Sequence, residues 1–588
     1  MKKFNLITYG NENFNNLSGY INKINKVYAL NPDAEILAKN LFSCDVVPCY
    51  KFYNEKDQKN NLKITSELKE NFFRDLGVFK NIMFRSTFET LYNFFDVIIS
   101  SFYFVKLSII NIGSKEKFLF YSNKSWKISE DKTEVVNGVF NNILNLNLGF
   151  FKPTTKSNYF VNFLINCVNN FILSKIKKKY KIVFTCGHSN GLDNINYKIL
   201  TENENTFSIR FSDSTNFRFL LLIRNIYFLY FSKKKHLSIP IVWNKNKNNF
   251  SSLLEKLFNQ FGDQFIVKSS KDISININEY LMFTENSFLN IERMIKKFNP
   301  SFLIADQLRW FTATNIGYAF YRNKLKVFLI SHGSHVLPND KHSQLAIKSH
   351  SRGMLFSHFA TDIVLQSPLA LKLYNSLNKK YNIYKSQPIL WGSNKVRNFP
   401  LIKNKANNFS NIILYANTFK KVGLRPYIYN TSSEYIYSIN QIIRAIKNIP
   451  NTLLVIRHRD MLECNAKNLE KLLIKSDKYV IKTDGSFIDD LKNCDLLISN
   501  SSTTVEEAII NFKPVALYSS HSFKFIDSGV SEPSLNKRNP IYNLENNNIE
   551  YNLISILKSH KNKNLTKEEI IDYIWDSSIK EFSFKNFL

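Results

Sequence analysis

From residue 181 onward the chain repeats one pattern: a near-continuous apolar run of strand length, a helix-length stretch, then another apolar run. KIVFTCG, TFSIRFS, LSIPIVW, QFIVKSS, SFLIAD, KVFLISHG, DIVLQS and PILWGS are such runs, and helix-length segments at 274–297 and 308–322 separate several of them. Strands apolar on both faces cannot show one face to water, so they belong in a parallel sheet covered by helices on both sides. A polar, Asn- and Lys-rich joint follows at 398–410 (NFPLIKNKANNFS), and then a second series: NIILYAN, NTLLVIRHRD, YVIKTDG, DLLISN and PVALYS, with helices at 433–447, 463–475, 486–493 and 503–511. This second series reads as a compact unit of five strands.

The expected fold class is therefore α/β, with two Rossmann-like domains facing a central cleft: an N-terminal domain over 1–400 and a C-terminal domain over 401–588. Upstream, KKFNLITYG, NKVYAL and CDVVPCY read as strands, and a helix-rich insertion in the N-terminal domain is expected at about 65–180, broken by the strand-like KFLFYSN. Ligands of such sheets bind at the carboxyl ends of the strands, so function is sought there.

The net charge of +31 (79 Lys and Arg against 48 Asp and Glu) is spread along the chain as isolated Lys among Asn and Ile. It suits a phosphate-bearing ligand or an anionic membrane face, but the basic runs are too short to argue for a nucleic-acid partner. Six cysteines at irregular spacing form no CxxC pair, so neither a zinc knuckle nor a disulfide framework is implied. The N-terminus MKKFNLITYG lacks the apolar core of an export signal, and a cytoplasmic protein is expected. FFDVIISSFYFVKLSIINIG (94–113) and FRFLLLIRNIYFLYF (217–231) approach membrane-helix character but carry Asp96, Lys106 and Arg224. They read as buried or interfacial elements, compatible with peripheral docking on the inner membrane face.

The segment ISNSSTTVEEAIINFKPVALY (498–518) places a run of hydroxyl and amide residues where a strand hands over to a helix. Thr503 with Glu506 three positions later predicts a capping box, and Ser499, Ser501 and Ser502 are small hydroxyls around free backbone N–H groups, a setting for a phosphate. In the same series LLVIRHRD ends a strand with Arg457, His458 and Arg459, two guanidinium groups flanking an imidazole, which reads as an anion clamp. YANTFKK supplies Asn417, Thr418 and Lys421 after the first strand of the unit.

In the first series, PSFLIADQLRW ends a strand at Asp306 and KVFLISHGSHV ends the next at His332, Gly333, Ser334 and His335. Asp306 is the carboxylate candidate; His332 and His335 are candidates for orienting acceptor or donor. TCGHSNGLDN adds His188 and Asp193 as second-rank candidates. No DxD stands at a strand end and the histidines lack ligand spacing, so no metal site is expected.

The pattern at 495–518 resembles the donor-binding segment of GT-B glycosyltransferases: strand, Ser-rich turn, Glu-Ala helix, then Lys-Pro-Val strand, with Phe512 where that family usually has Gly. The resemblance implies that Glu507 reaches the ribose hydroxyls. LLVIRHRD resembles the His-Pro motif of bacterial transferases that use CMP-activated sugars, with Arg459 in place of Pro; there the His contacts the nucleotide phosphate and a Ser-Ser pair, here Ser501 and Ser502, completes the site. KVFLISHGSHV resembles the His-Gly turn of capsule and lipopolysaccharide sugar transferases. Together these imply a metal-independent glycosyltransferase of cell-surface polysaccharide assembly. Its co-substrate is expected to be a nucleotide-sugar donor, favoured as CMP-Kdo or CMP-sialic acid, with no further cofactor, and its acceptor a glycan or glycolipid. The alternatives are a CDP-glycerol-type polyol-phosphate transferase, or a UDP- or GDP-sugar transferase or epimerase of the same fold.

Overall fold

The computed structural model describes the chain outside residues 1–2, 77–81, 114–115, 149–166, 168–170, 172–173, 177–179, 188–189, 213–235, 241–249, 260–261, 282–283, 310, 331–340, 382–385, 392–408, 418, 420–429, 461–462, 501, 520–528, 562 and 574–583. Its described strands form three sheets. The central sheet contains β6 (Lys181–Cys186), β7 (Thr206–Ser212), β8 (His236–Pro240), β9 (Phe302–Ala305), β10 (Lys326–Ile330), β11 (Asp362–Leu365) and β12 (Gln387–Leu390). All its pairings are parallel, in the order β12-β11-β10-β9-β6-β7-β8. The C-terminal sheet contains β13 (Asn411–Tyr415), β14 (Thr452–Arg457), β15 (Tyr479–Lys482), β16 (Leu496–Ser499), β17 (Val515–Leu517) and β18 (Ile541–Asn543), parallel in the order β15-β14-β13-β16-β17-β18. Its sixth strand, IYN, is three residues long and too short to read by periodicity.

Both sheets are doubly wound: the chain adds strands to one side of the first strand, then returns to add on the other. In each, the reversal lies between the first and fourth strands, β6 and β9 centrally and β13 and β16 at the C-terminal end. This is the α/β architecture of two Rossmann-like units in series that the sequence led us to expect. Strand interiors such as Phe302–Ala305 and Leu496–Ser499 are buried throughout, as sheets covered on both faces require. The joint at 398–410 lies mostly outside the described residues. The final turn, Phe584–Phe587, returns to the central sheet, where Phe584 packs against Phe302, Phe328 and Trp391.

One expected strand is a helix. QFIVKSS begins the helix Gln264–Leu281, in which Ile266, Ser269, Ser270, Ile273 and Ile277 are buried. That spacing of three and four is the period of one helix face; the β-branched run at its start suggests a strand only when read alone.

The N-terminal region is more than an insertion of helices. β1 (Phe4–Thr8), β2 (Ile24–Ala29), β3 (Asp45–Pro48), β4 (Phe118–Ser122) and β5 (Ser125–Ser129) form a separate sheet, β3-β2-β1-β4-β5, with only the last pair antiparallel. Its core is rich in aromatic residues and centred on the helix Ile82–Asn111. Within that helix, Leu91–Asn111 is long and apolar enough to cross a membrane, yet 82% of it is buried inside the protein. Asp96 is paired there with Lys69 at 2.6 Å, both 1% exposed, and Lys106 with Asp263 at 2.6 Å. The stretch 217–231 lies outside the described residues.

This unit touches both other sheets. Lys69 Nζ donates to Ser349 Oγ (2.7 Å), Lys348 pairs with Glu70 (3.3 Å), and the Arg352 guanidinium lies 3.9 Å from the Tyr92 ring centre, all toward the central unit. Toward the C-terminal unit, the Tyr9 hydroxyl donates to the buried Glu463, which also accepts from Ser432 Oγ (3.0 Å). Gln58 donates to Glu434, and Asn468 Nδ2 donates to Asp33 Oδ1 (2.7 Å).

Candidate functional site

The carboxyl ends at the two reversal points hold the polar groups of interest. In the central sheet the register pairs Cys186 with Ala305, so the next residues, Gly187 and Asp306, stand side by side as the strands end. The Asp306 N–H donates to the Cys186 carbonyl at 3.2 Å. Asp306 is 4% exposed, and its carboxylate occupies the space a side chain at residue 187 would need: a Cβ there would lie 1.8 Å from Oδ1. Gly187 also has φ +136°, a conformation side-chain-bearing residues avoid. The glycine after the strand KIVFTC is thus part of the carboxylate's seat. Its signal in the sequence is a Gly directly after one strand, with an Asp directly after the neighbouring strand.

His332, His335 and His188 lie outside the described residues. Asp193 is in the helix Asn190–Glu202.

In the C-terminal sheet, β13 pairs with β16 so that Tyr415 faces Ile498, which sets Ala416 beside Ser499. Ser499 is fully buried, and its hydroxyl donates to the Ala416 carbonyl at 2.7 Å. Thr504 Oγ1 donates to the same carbonyl at 3.2 Å. These hydroxyls satisfy the backbone where two strands end instead of facing a ligand, a correction to the expected role of Ser499. The capping box at Thr503 is also absent: Thr503 has helical φ and ψ and makes no side-chain cap bond, and Ser502 Oγ accepts from the Thr504 N–H at 3.3 Å instead. Glu506 and Glu507 sit half-buried in the first turn of the short helix Thr504–Ile510. Ser501 and Lys421 lie outside the described residues, and Asn417 follows β13 half-buried.

At the end of that helix Phe512 adopts φ +60°, and the Lys513 N–H donates to the Ala508 carbonyl at 2.9 Å. This left-handed position is where glycine closes helices most easily, which explains the residue expected there from the resemblance.

The Arg-His-Arg clamp does not form. Successive side chains of an extended segment point to opposite faces, so Arg457 and His458 diverge. The Arg457 guanidinium donates to the carbonyls of Asp484 and Gly485 and pairs with Asp490 at 3.1 Å, pinning the turn after β15. His458 is 2% exposed, stacked on Phe419 and beside Tyr435. Its Nε2 lies 3.0 Å from the Cys464 carbonyl, which can only accept, so Nε2 carries the proton; Nδ1 then accepts from the Tyr435 hydroxyl at 3.3 Å. Burial holds its pKa below the ordinary histidine value. A neutral, enclosed imidazole with both nitrogens engaged is a structural residue, not a phosphate ligand. Arg459 is exposed.

One residue absent from the expected set, Asn430, stands over the ends of β16 and β17. Asn430 precedes the helix Ser432–Lys447, whose Thr431 and Glu434 form a complete capping box, a T-x-x-E signal that was readable in the sequence. Its Oδ1 accepts from Asn500 Nδ2 at 3.3 Å and from Ser519 Oγ at 2.9 Å. Asn500 and Ser519 lie just past β16 and β17.

No family model matches the chain, and no curated protein matches it. Among solved structures, a Staphylococcus aureus MnaA–UDP complex is similar at 12% identity and TM-score 0.39, covering 68% of this chain and 93% of that one. A UDP-GlcNAc 2-epimerase from Neisseria meningitidis bound to UDP-GlcNAc is similar at 12% identity and TM-score 0.37, covering 67% and 95%. MurG from Acinetobacter baumannii is similar at 11% identity and TM-score 0.35, covering 67% and 99%. At identities this low, no residue role passes from those proteins to this chain.

Proposed function

We propose that the protein is a glycosyltransferase that takes a sugar from a nucleoside diphosphate sugar and passes it to a hydroxyl of a glycan or glycolipid. The observation that carries the reading is the seating of the Asp306 carboxylate on Gly187 at the reversal point of the central sheet, where doubly wound sheets bind ligands. In this reading the acceptor oxygen attacks the anomeric carbon as the bond from that carbon to the phosphate oxygen breaks. The hydroxyl proton passes to Asp306, and the nucleotide leaves with the bonding electron pair. His332 and His335, which follow the neighbouring strand β10 in sequence, serve the acceptor side.

The nucleotide belongs at the second reversal point, beside Asn417, Asn500 and the start of the helix Thr504–Ile510, with Glu507 toward the ribose. The preference for a CMP-linked keto sugar loses its support with His458 enclosed and Ser499 bonded to Ala416, so a nucleoside diphosphate replaces it. UDP, named with two of the similar structures, leads the ligand screen.

The test is incubation with UDP- and GDP-sugars and analysis of the products. Release of free nucleotide together with a glycoside supports transfer, and its loss in Asp306→Asn, with nucleotide affinity retained, supports the proton-acceptor role. Conversion of the nucleotide sugar to an isomer without nucleotide release would make the protein an epimerase instead.

A further inference from the structure

We infer that the side-chain amide of Asn430 binds a phosphoryl oxygen of the nucleotide, an assignment that rests on the function proposed above. Asn430 is 4% exposed, and its Oδ1 accepts from Asn500 Nδ2 at 3.3 Å and from Ser519 Oγ at 2.9 Å. The opposite end, Nδ2, is buried and has no hydrogen-bond partner among the described residues. A buried N–H donor left unpaired costs on the order of 1–3 kcal/mol, so such a group is retained where something else completes it. Its position selects the partner. Asn500 and Ser519 place it over the carboxyl ends of β16 and β17, beside the reversal point. With Oδ1 fully used, the residue offers donors only, which suits an oxygen that brings no proton of its own. A phosphoryl oxygen is such an acceptor, and so is a base carbonyl.

The same bonds show why Asn is suited to this place. Asp would keep both contacts through Oδ1 but offer the ligand a second acceptor instead of a donor. The capping box at Thr431 and Glu434 fixes the backbone immediately after Asn430, so the amide is presented by an anchored helix start.

The test is titration calorimetry of the full-length protein with UDP, GDP, CDP and CMP, each beside its parent nucleoside, for the wild type, Asn430→Asp and Asn430→Ala. The inference expects both variants to bind the preferred nucleotide at least about tenfold more weakly, with nucleoside binding unchanged, a readout that a loss of folding would also lower. Wild-type binding that both variants retain would overturn the assignment and leave a buried water as the partner of Nδ2. An equal loss toward the nucleoside would move the contact to the base and overturn the phosphoryl assignment. A wild type that binds none of the nucleotides would overturn the functional reading, and this inference with it.

Discussion

Replacing Gly187 with alanine tests both the seat of Asp306 and its role. The added Cβ would lie 1.8 Å from Oδ1, 2.3 Å from Cγ and 2.7 Å from Oδ2 of Asp306. Separations below 3.0 Å are essentially never found for a Cβ, so Oδ1 must retreat by at least the difference, 1.2 Å. The backbone adds its own cost, because φ +136° is strained for alanine by about 1–3 kcal/mol. A displacement of about 1 Å at a reacting group lowers turnover by about a hundredfold. We therefore expect Gly187→Ala to lower kcat by about two orders of magnitude, with nucleotide affinity unchanged because the C-terminal sheet is untouched. Gly138→Ala is the control: its Cβ would meet the Phe120 ring at 2.4 Å, in the N-terminal unit, so it strains the fold without touching either reversal point. Thermal melting, product release and nucleotide titration are measured for both variants. A Gly187→Ala protein that turns over at the wild-type rate refutes the role given to Asp306. Equal losses of activity in the two variants, in proportion to lost stability, refute it as well.

Other expectations follow from buried groups. Burial, with the Arg538 cation adding to it, lowers the His560 pKa to about 4, and its Nε2 lies 2.8 Å from the Tyr542 hydroxyl. Because the folded protein takes the proton less readily than the unfolded chain, His560 favours folding above its ordinary pKa, and that contribution falls away as pH drops from 6.5 toward 4. Urea melts across this window should show the wild type losing up to about 3 kcal/mol more than His560→Gln; parallel curves would refute the shift. Lys69→Met strands the buried Asp96 carboxylate and should destabilise the N-terminal unit by about 3–5 kcal/mol, read by hydrogen exchange. Tyr9→Phe removes a donor to the buried Glu463 and should cost about 1.5–3 kcal/mol in denaturant melts. Phe512→Gly relieves a left-handed residue worth about 1 kcal/mol but loses the ring's packing on the core; it is expected to melt above Phe512→Ala, which loses the ring without the relief, and a lower melting temperature than Phe512→Ala would disprove the relief.

The strands of the two doubly wound sheets were legible because burial on both faces writes a continuous apolar run, as in FLIA and LLIS. The segment 264–270 misled because FIV reads as a strand until Ile273 and Ile277 are counted with it. The N-terminal sheet was hidden for a different reason: β1 pairs with β4 across more than a hundred residues, and no local pattern carries such a pairing. At the site, Asp306 could be read because a carboxylate directly after a buried strand emerges at the sheet's carboxyl end. His458 and Ser499 could not be judged from residue type, since both are consumed by backbone carbonyls, of Cys464 and Ala416, that only the folded chain brings near. Asn430 carried no chemical signature, and its significance comes from two neighbours supplied by other loops.

The N-terminal unit grips the Ser349–Arg352 end of the central unit with one side and Ser433, Glu434 and Glu463 of the C-terminal unit with the other. A hinge between the two wound halves is therefore not free to swing on the linker alone: each degree of opening must slide a buried lysine, a glutamine or a tyrosine hydroxyl off its partner. The N-terminal unit acts as a strut, and because the strut is fastened three and four residues beyond Asn430, slack in it would be felt first where the nucleotide is proposed to sit.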